Sequence, residues 1–118
     1  MTTIYGIKNC DTVKKAIRWL TTHNIEHRFH DFRVDGVDHD LINHWLQQTS
    51  LDKLVNKRST SWKQLSETER GSLCIETAAG LCVQYETLIK RPVLEHKDEI
   101  HFGFSEKDYG YIFDIASI

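Results

Sequence analysis

The first 46 residues alternate between strand and helix patterns in an order that few folds accommodate. Thr3–Gly6 is a short β-type run that ends at a glycine, and Glu26–Phe32 predicts a second strand with Phe29 directed to the core. Between them, apolar residues recur at i, i+3, i+4 and i+7 and predict an amphipathic helix: Val13, Ala16, Ile17 and Leu20. After a turn at Asp35-Gly36, a second helix is predicted around Leu41, Ile42, Trp45 and Leu46. Because a helix joins the two strands, we expect them to be parallel.

The rest of the chain changes from helices to a hairpin. Leu51–Leu88 is mainly helical, with a capping box at Ser66–Glu69 and a helix over Ile75–Val83. After Pro92, two short strands are predicted at Val93–His96 and Ile100–Phe104, around the turn Lys97-Asp98-Glu99. A last helix begins at Ser105, and its apolar stripe is Tyr109, Ile112, Phe113 and Ala116.

The predicted order is β-α-β-α, a helical insertion at about 51–88, then β-β-α, within one domain over 1–118. This is the layout of a thioredoxin-like α/β fold with a mixed four-stranded sheet.

Cys10 stands where the first strand gives way to the first helix. The unpaired N–H groups and the dipole of a helix start favour thiolate over thiol, and the thiolate is the nucleophilic form. Lys8 adds a nearby positive charge, whereas Asp11 opposes it. The alternative is a small buried cysteine at a strand end, since free cysteines are mostly core residues.

Composition excludes several function classes. The net charge of −2 predicts no general affinity for nucleic acid or anionic membrane, and no segment has the length and apolarity of a secretory signal or membrane span. The odd set Cys10, Cys74 and Cys82 lacks disulfide-type spacing, so we expect a reducing compartment, the cytoplasm. The seven histidines lack the spacing of a metal site, so no metal is predicted.

Motifs along nearly the whole chain resemble the arsenate reductase (ArsC)/Spx family, especially its YffB-like branch. They are Tyr5–Thr12 with Lys14–Ala16, Arg28–Arg33, Asn56–Arg58 with Ser61-Trp62, Ile89–Leu94 and Gly103–Ser105. The resemblance implies a thioredoxin-like fold with Cys10 as the nucleophile. It also implies that Pro92, the chain's one proline, follows a cis peptide bond before the third strand.

The same resemblance implies that Arg58 and Arg91 bind an anion near the thiol. The planar guanidinium fork suits carboxylate, phosphate or arsenate, although most arginines are solvated surface charges. Lys8, Asn9 and Pro92 complete the predicted substrate-binding set.

Three positions depart from patterns in the family. Arsenate reductases have an arginine where Gly103-Phe104-Ser105 stands here, and a histidine near the position of Gly6. Several Spx regulators carry Cys-x-x-Cys, but the second position is Val13 here, so no local disulfide forms. Cys74 and Cys82 lie on different turns of a helical stretch and are interpreted as core thiols. The alternative is that one of them resolves a Cys10 disulfide, if the insertion folds over the site.

Two function classes follow. The first is a cytoplasmic, monomeric thiol reductase without a bound cofactor, in which Cys10 attacks an oxidised thiol or an oxyanion and glutathione or a similar small thiol releases it. The alternative is an Spx-like regulator that binds RNA polymerase or another protein. The missing Cys-x-x-Cys favours the reductase.

Overall fold

A computed structural model of the chain describes residues 2–115. The contacts within the chain form two compact units. The first combines the chain up to Asp31 with the part from Arg91 onward, and the second is Phe32–Lys90. That these units behave as one domain over 1–118 stays a prediction. Within the described range, no helix is both long and apolar enough to cross a membrane.

The first unit contains the sheet. Its strands are β1 (Thr3–Gly6), β2 (Arg28–Asp31), β3 (Val93–His96) and β4 (Glu99–Phe102), in the spatial order β2-β1-β3-β4. β1 pairs parallel with β2 and antiparallel with β3, and β3 pairs antiparallel with β4. The predicted parallel β-α-β unit and mixed thioredoxin-like sheet are therefore confirmed.

Two helices of the same unit, α1 (Asp11–Thr22) and α7 (Glu106–Ile112), share a core with β1 and β3. That core consists of Ile4, Ala16, Trp19, Leu20, Leu94 and Tyr109. Phe29 packs against it, as predicted. The Ser105 side chain caps α7 by accepting from the Asp108 N–H at 3.0 Å. Ala116, the last residue of the predicted apolar stripe, lies outside the described residues.

The strand boundaries differ from the prediction for identifiable reasons. β2 is shorter than the predicted 26–32, because its ladder partner β1 supplies only four residues, Thr3–Gly6. The hairpin turn has two residues instead of three, and β4 begins at Glu99. Lys97 and Asp98 both have positive φ, as a two-residue type I′ turn requires. Gly103, with φ of 81°, ends β4 before Phe104.

The second unit is helical, in agreement with the prediction for the middle of the chain. Its helices are α2 (His39–Leu46), α3 (Leu51–Leu54), α4 (Thr60–Gln64), α5 (Glu67–Gly71) and α6 (Ile75–Gln84), followed by a 3-10 turn at Glu86–Leu88. The capping box is present: Ser66 Oγ accepts from Glu69 N–H at 3.0 Å, and Glu69 Oε1 accepts from Ser66 N–H at 3.1 Å. α2 packs against α6, and Trp45 is fully buried.

Candidate active site

Cys10 is the N-cap residue of α1, and its backbone is extended, with φ of −138° and ψ of 122°. Its carbonyl accepts the first helical hydrogen bond, from Lys14 N–H at 2.9 Å. Its side chain makes no capping hydrogen bond and is half-buried. The sulfur therefore does not cap the helix, and Cys10 directly precedes the first turn, whose N–H groups have no partner within the helix.

The turn before Cys10 is anchored by a close approach of β1 to α1. A Cβ atom added to Gly6 would lie 2.6 Å from Cγ2 of Val13, which is fully buried. Ile7 is also buried, whereas Lys8 and Asn9 are exposed. Val13, which stands where Cys-x-x-Cys has its second cysteine, is thus buried against Gly6.

We expect Gly6→Ala to destabilise the protein by about 1–3 kcal/mol, the usual cost of overpacking a filled core. The stiffness of a helical valine prevents easy relief. In a Val13→Ala background the same change should cost little, because the clashing methyl groups are gone. Denaturant unfolding of the four proteins of this double-mutant cycle measures the coupling; additive effects would contradict the close approach as the cause.

Arg91 and Pro92 precede β3 at the end of the sheet where β1 leads into the Cys10 turn. The ladder pairs Tyr5 with Val93, so the residues before Val93 lie alongside those that follow Tyr5. The Pro92 carbonyl accepts from Gly103 N–H at 2.9 Å, and the Arg91-Pro92 peptide is cis, as the family resemblance implied. The sheet therefore brings two of the predicted site residues to the same end as Cys10.

The guanidinium of Arg91 has buried nitrogen atoms without a hydrogen-bond partner in the described part of the chain. Its Nε and Nη1 are buried, and neither has a hydrogen-bond partner among the described residues. Buried polar groups are almost always paired, and leaving a charged donor without an acceptor costs free energy. An anion bound beside Nε and Nη1 would supply the acceptor that the described chain does not.

Arg58 belongs to the second unit and lies on an exposed loop. Its backbone N–H donates to Asn56 Oδ1 at 3.1 Å, and Ser59 Oγ donates to the Asn56 carbonyl at 2.7 Å. Hydrogen bonds between the segments around Val55 and Ile89 fix the start of this loop. The loop backbone is therefore ordered, with the Arg58 side chain directed to solvent.

Asp31 is a candidate that the sequence interpretation missed. It ends β2, pairs with Gly6 in the sheet register, and is only 8% exposed. A carboxylate at the end of a strand parallel to β1 reaches the same edge of the sheet as the nucleophile turn. The predicted strand Glu26–Phe32 contains Asp31 but does not end on it, so the place of Asp31 at this edge of the sheet follows only from the observed register.

The other two cysteines differ from each other. Cys82 is fully buried in α6, as predicted, and burial raises the pKa of its thiol to about 12. Cys74 is half-buried at the N-cap of α6 rather than in the core, because it precedes the helix. No group of three or more His, Cys, Asp or Glu side chains within residues 2–115 is arranged to hold a metal ion.

Comparison with known proteins identifies the family. The ArsC family model matches residues 5–112. A Haemophilus influenzae protein of uncharacterized function is 50% identical over 92% of this chain and 96% of its own length. The global transcriptional regulator Spx of Lactiplantibacillus plantarum is 23% identical over 92% of this chain and 83% of its own.

Two solved structures are similar over nearly the whole chain. The YffB protein matches with a TM-score of 0.89 and 32% identity, covering 94% of this chain and 97% of that one. An arsenate reductase (ArsC) related protein from Brucella melitensis matches with a TM-score of 0.76 and 37% identity, covering 95% and 93%. The sheet, the helix that follows Cys10 and this likeness together give the chain the fold of a thiol reductase. The chain belongs to the ArsC family.

Proposed function

We propose that the protein is a thiol-dependent reductase in which Cys10 is the single nucleophile and glutathione, or a similar small thiol, completes the cycle. The observation that carries this proposal is Arg91, whose buried guanidinium N–H groups lack an acceptor at the end of the sheet that holds Cys10. Glutathione has two carboxylates, which are the acceptors that an arginine fork binds best. The predicted roles of Lys8, Asn9 and Pro92 in binding belong to the same proposal.

In the first step, the Cys10 thiolate attacks the glutathione sulfur of a mixed disulfide. A Cys10–glutathione disulfide forms, the substrate's S–S bond breaks, and the substrate sulfur leaves as a thiolate that takes up a proton. A second glutathione thiolate then attacks the glutathione sulfur of this intermediate. Cys10 leaves as thiolate, the substrate has been reduced, and glutathione has been oxidised to its disulfide.

The role of Arg58 enters this proposal on the family resemblance alone. Its exposed side chain is suited to a carboxylate or oxyanion, and its loop backbone is ordered by Asn56 and Ser59. The cytoplasmic setting likewise rests on the three unpaired cysteines, which a reducing compartment preserves.

Mass spectrometry of the intact protein tests the proposal directly. After incubation with oxidised glutathione, we expect one glutathione adduct on Cys10, which is removed by reduced glutathione. A parallel incubation with arsenate and glutathione shows whether an oxyanion is also a substrate, through an arsenic adduct on the same residue. Absence of any adduct on Cys10, with the protein folded, would rule out this chemistry.

A regulatory role is the second candidate, and the likeness to Spx regulators is the observation that favours it. Such a protein would bind RNA polymerase, with the thiol as sensor or remnant. Stable association with purified RNA polymerase that is unchanged in Cys10→Ser would support this role. The buried Val13 at the second position of Cys-x-x-Cys argues against a local disulfide switch.

A further inference from the structure

A concave pocket of about 300 Å³ lies between α1 and the start of α7, within the first unit. Its lining includes Trp19 and His23 from the end of α1 and Phe104 from the segment before α7. The residues that carry the proposed reductase chemistry, Cys10 and Arg91, do not line it. A volume of this size is at the lower end of the range for small-molecule sites.

Aromatic contacts hold the apolar part of this pocket rigid. The His23 ring stacks on the Trp19 indole at 4.0 Å, and its Nδ1–H donates to the Trp19 carbonyl at 2.9 Å. Behind them, Tyr109 packs edge-on against Trp19 at 5.6 Å and against Phe104 at 4.7 Å. Flat aromatic walls held in this way suit a planar ring, which gains from offset or edge contacts as well as from burial.

The charged residues of the pocket determine which ligand charge it favours. Lys15 and Arg18 line it from α1, and Glu106 lines it from α7. Neither cation forms an ion pair with a described residue, although the protein as a whole has a net charge of −2. Lys14 lies four residues before Arg18 and is also exposed, so like charges adjoin on this face of α1 at a cost in helix stability.

We propose that this pocket binds a small aromatic carboxylate, with the ring against Trp19 and Phe104 and the carboxylate at Lys15 and Arg18. Two cations outweigh the carboxylate of Glu106, so one negative charge is favoured. Glu106 disfavours a second negative group, which separates this ligand class from polyanions such as nucleotides. The proposal is independent of Cys10 chemistry, because the pocket and the thiol involve different side chains.

Phenylacetate is the probe, and the Trp19 indole N–H in the ¹H–¹⁵N spectrum of the full chain is the readout. Trp19→Phe assigns this signal among the three tryptophans. We expect a saturable shift with phenylacetate and binding of the neutral isostere phenylacetamide that is about two- to fivefold weaker, the size of an exposed ion-pair contribution. Acetate, which lacks the ring, should cause no saturable shift.

Charge variants locate the carboxylate. Arg18→Gln should lower the affinity for phenylacetate by about two- to fivefold and leave the affinity for phenylacetamide unchanged. Glu106→Gln should raise the affinity for phenylacetate by a similar factor. Lys14→Gln is the matched control, because Lys14 is on the same helix but does not line the pocket. Circular dichroism confirms that each variant is folded.

Equal affinity for phenylacetate and phenylacetamide would overturn the proposal, as would equal effects of Arg18→Gln and Lys14→Gln. No saturable shift with phenylacetate would also overturn it. If an acidic peptide with one phenylalanine saturates the Trp19 signal while phenylacetate does not, the site is a protein-docking surface and the small-molecule proposal is wrong.

Discussion

Replacing Cys10 with serine should abolish turnover of a glutathione mixed disulfide, whereas Cys74→Ser and Cys82→Ala should retain most of it. A serine hydroxyl at the start of α1 can neither form the mixed disulfide nor act as its leaving group. Cys82 is fully buried, and with its pKa raised to about 12 it stays a thiol at neutral pH. Coupled assays that follow oxidised glutathione formation measure the rates of the three variants.

Alkylation by iodoacetamide provides the matched control for this prediction. At neutral pH we expect the native protein to take up the label first at Cys10, whose side chain makes no capping hydrogen bond. The Cys74 sulfur is also half-buried, but it lies 3.5 Å from Thr77 Oγ1. Cys74 lies beside Glu76, whose pKa is held below its usual value mainly by a hydrogen bond with the Cys74 side chain. If Cys74→Ser lost turnover as completely as Cys10→Ser, an intramolecular resolving thiol would replace glutathione in the cycle.

The elements of the first unit follow from short-range patterns. The apolar residues of α1 have a clear helical period, and a crossover helix between two short strands leaves little choice but a parallel pair. The position of the hairpin was predicted correctly, but the predicted turn was one residue too long because Glu99 belongs to β4. Both Lys97 and Asp98 adopt left-handed backbone although neither is a glycine, so no residue type at the turn indicated this conformation.

The candidate site is harder to predict from the sequence, because its residues are far apart along the chain and only the sheet brings them together. Cys10 was identifiable from its position between a strand and a helix. Arg91 was implied by the family resemblance, but the burial of its Nε and Nη1 without a described acceptor is visible only in the structure. Asp31 was missed for a related reason, since one carboxylate at a strand end carries no motif. The pocket beside Trp19 joins residues 80 positions apart or more, so periodicity within α1 indicated only packing.

Arg91→Met should lower kcat/KM for a glutathione mixed disulfide by about 10- to 100-fold. This corresponds to losing a charged hydrogen-bond contribution of about 1.5–3 kcal/mol from the bound state. The kcat/KM of Arg91→Lys should lie between those of the native protein and Arg91→Met, because an ammonium keeps the charge but lacks the planar fork. With bis(2-hydroxyethyl) disulfide, which has no carboxylate, the native protein and Arg91→Met should exchange with Cys10 at similar rates.

The free energy of unfolding of Arg91→Met distinguishes a binding role for Arg91 from a purely structural one. If its guanidinium held the fold together, Arg91→Met would lower the free energy of unfolding. Because its buried Nε and Nη1 have no described acceptor, removing them should leave that free energy unchanged or raise it. Loss of activity together with equal or greater stability is the expected signature of a site that stores unpaired donors for its ligand. Denaturant unfolding and the assays with the two disulfides distinguish these roles. If Arg91→Met were destabilised and reacted more slowly with both disulfides to the same extent, the role of Arg91 would be structural.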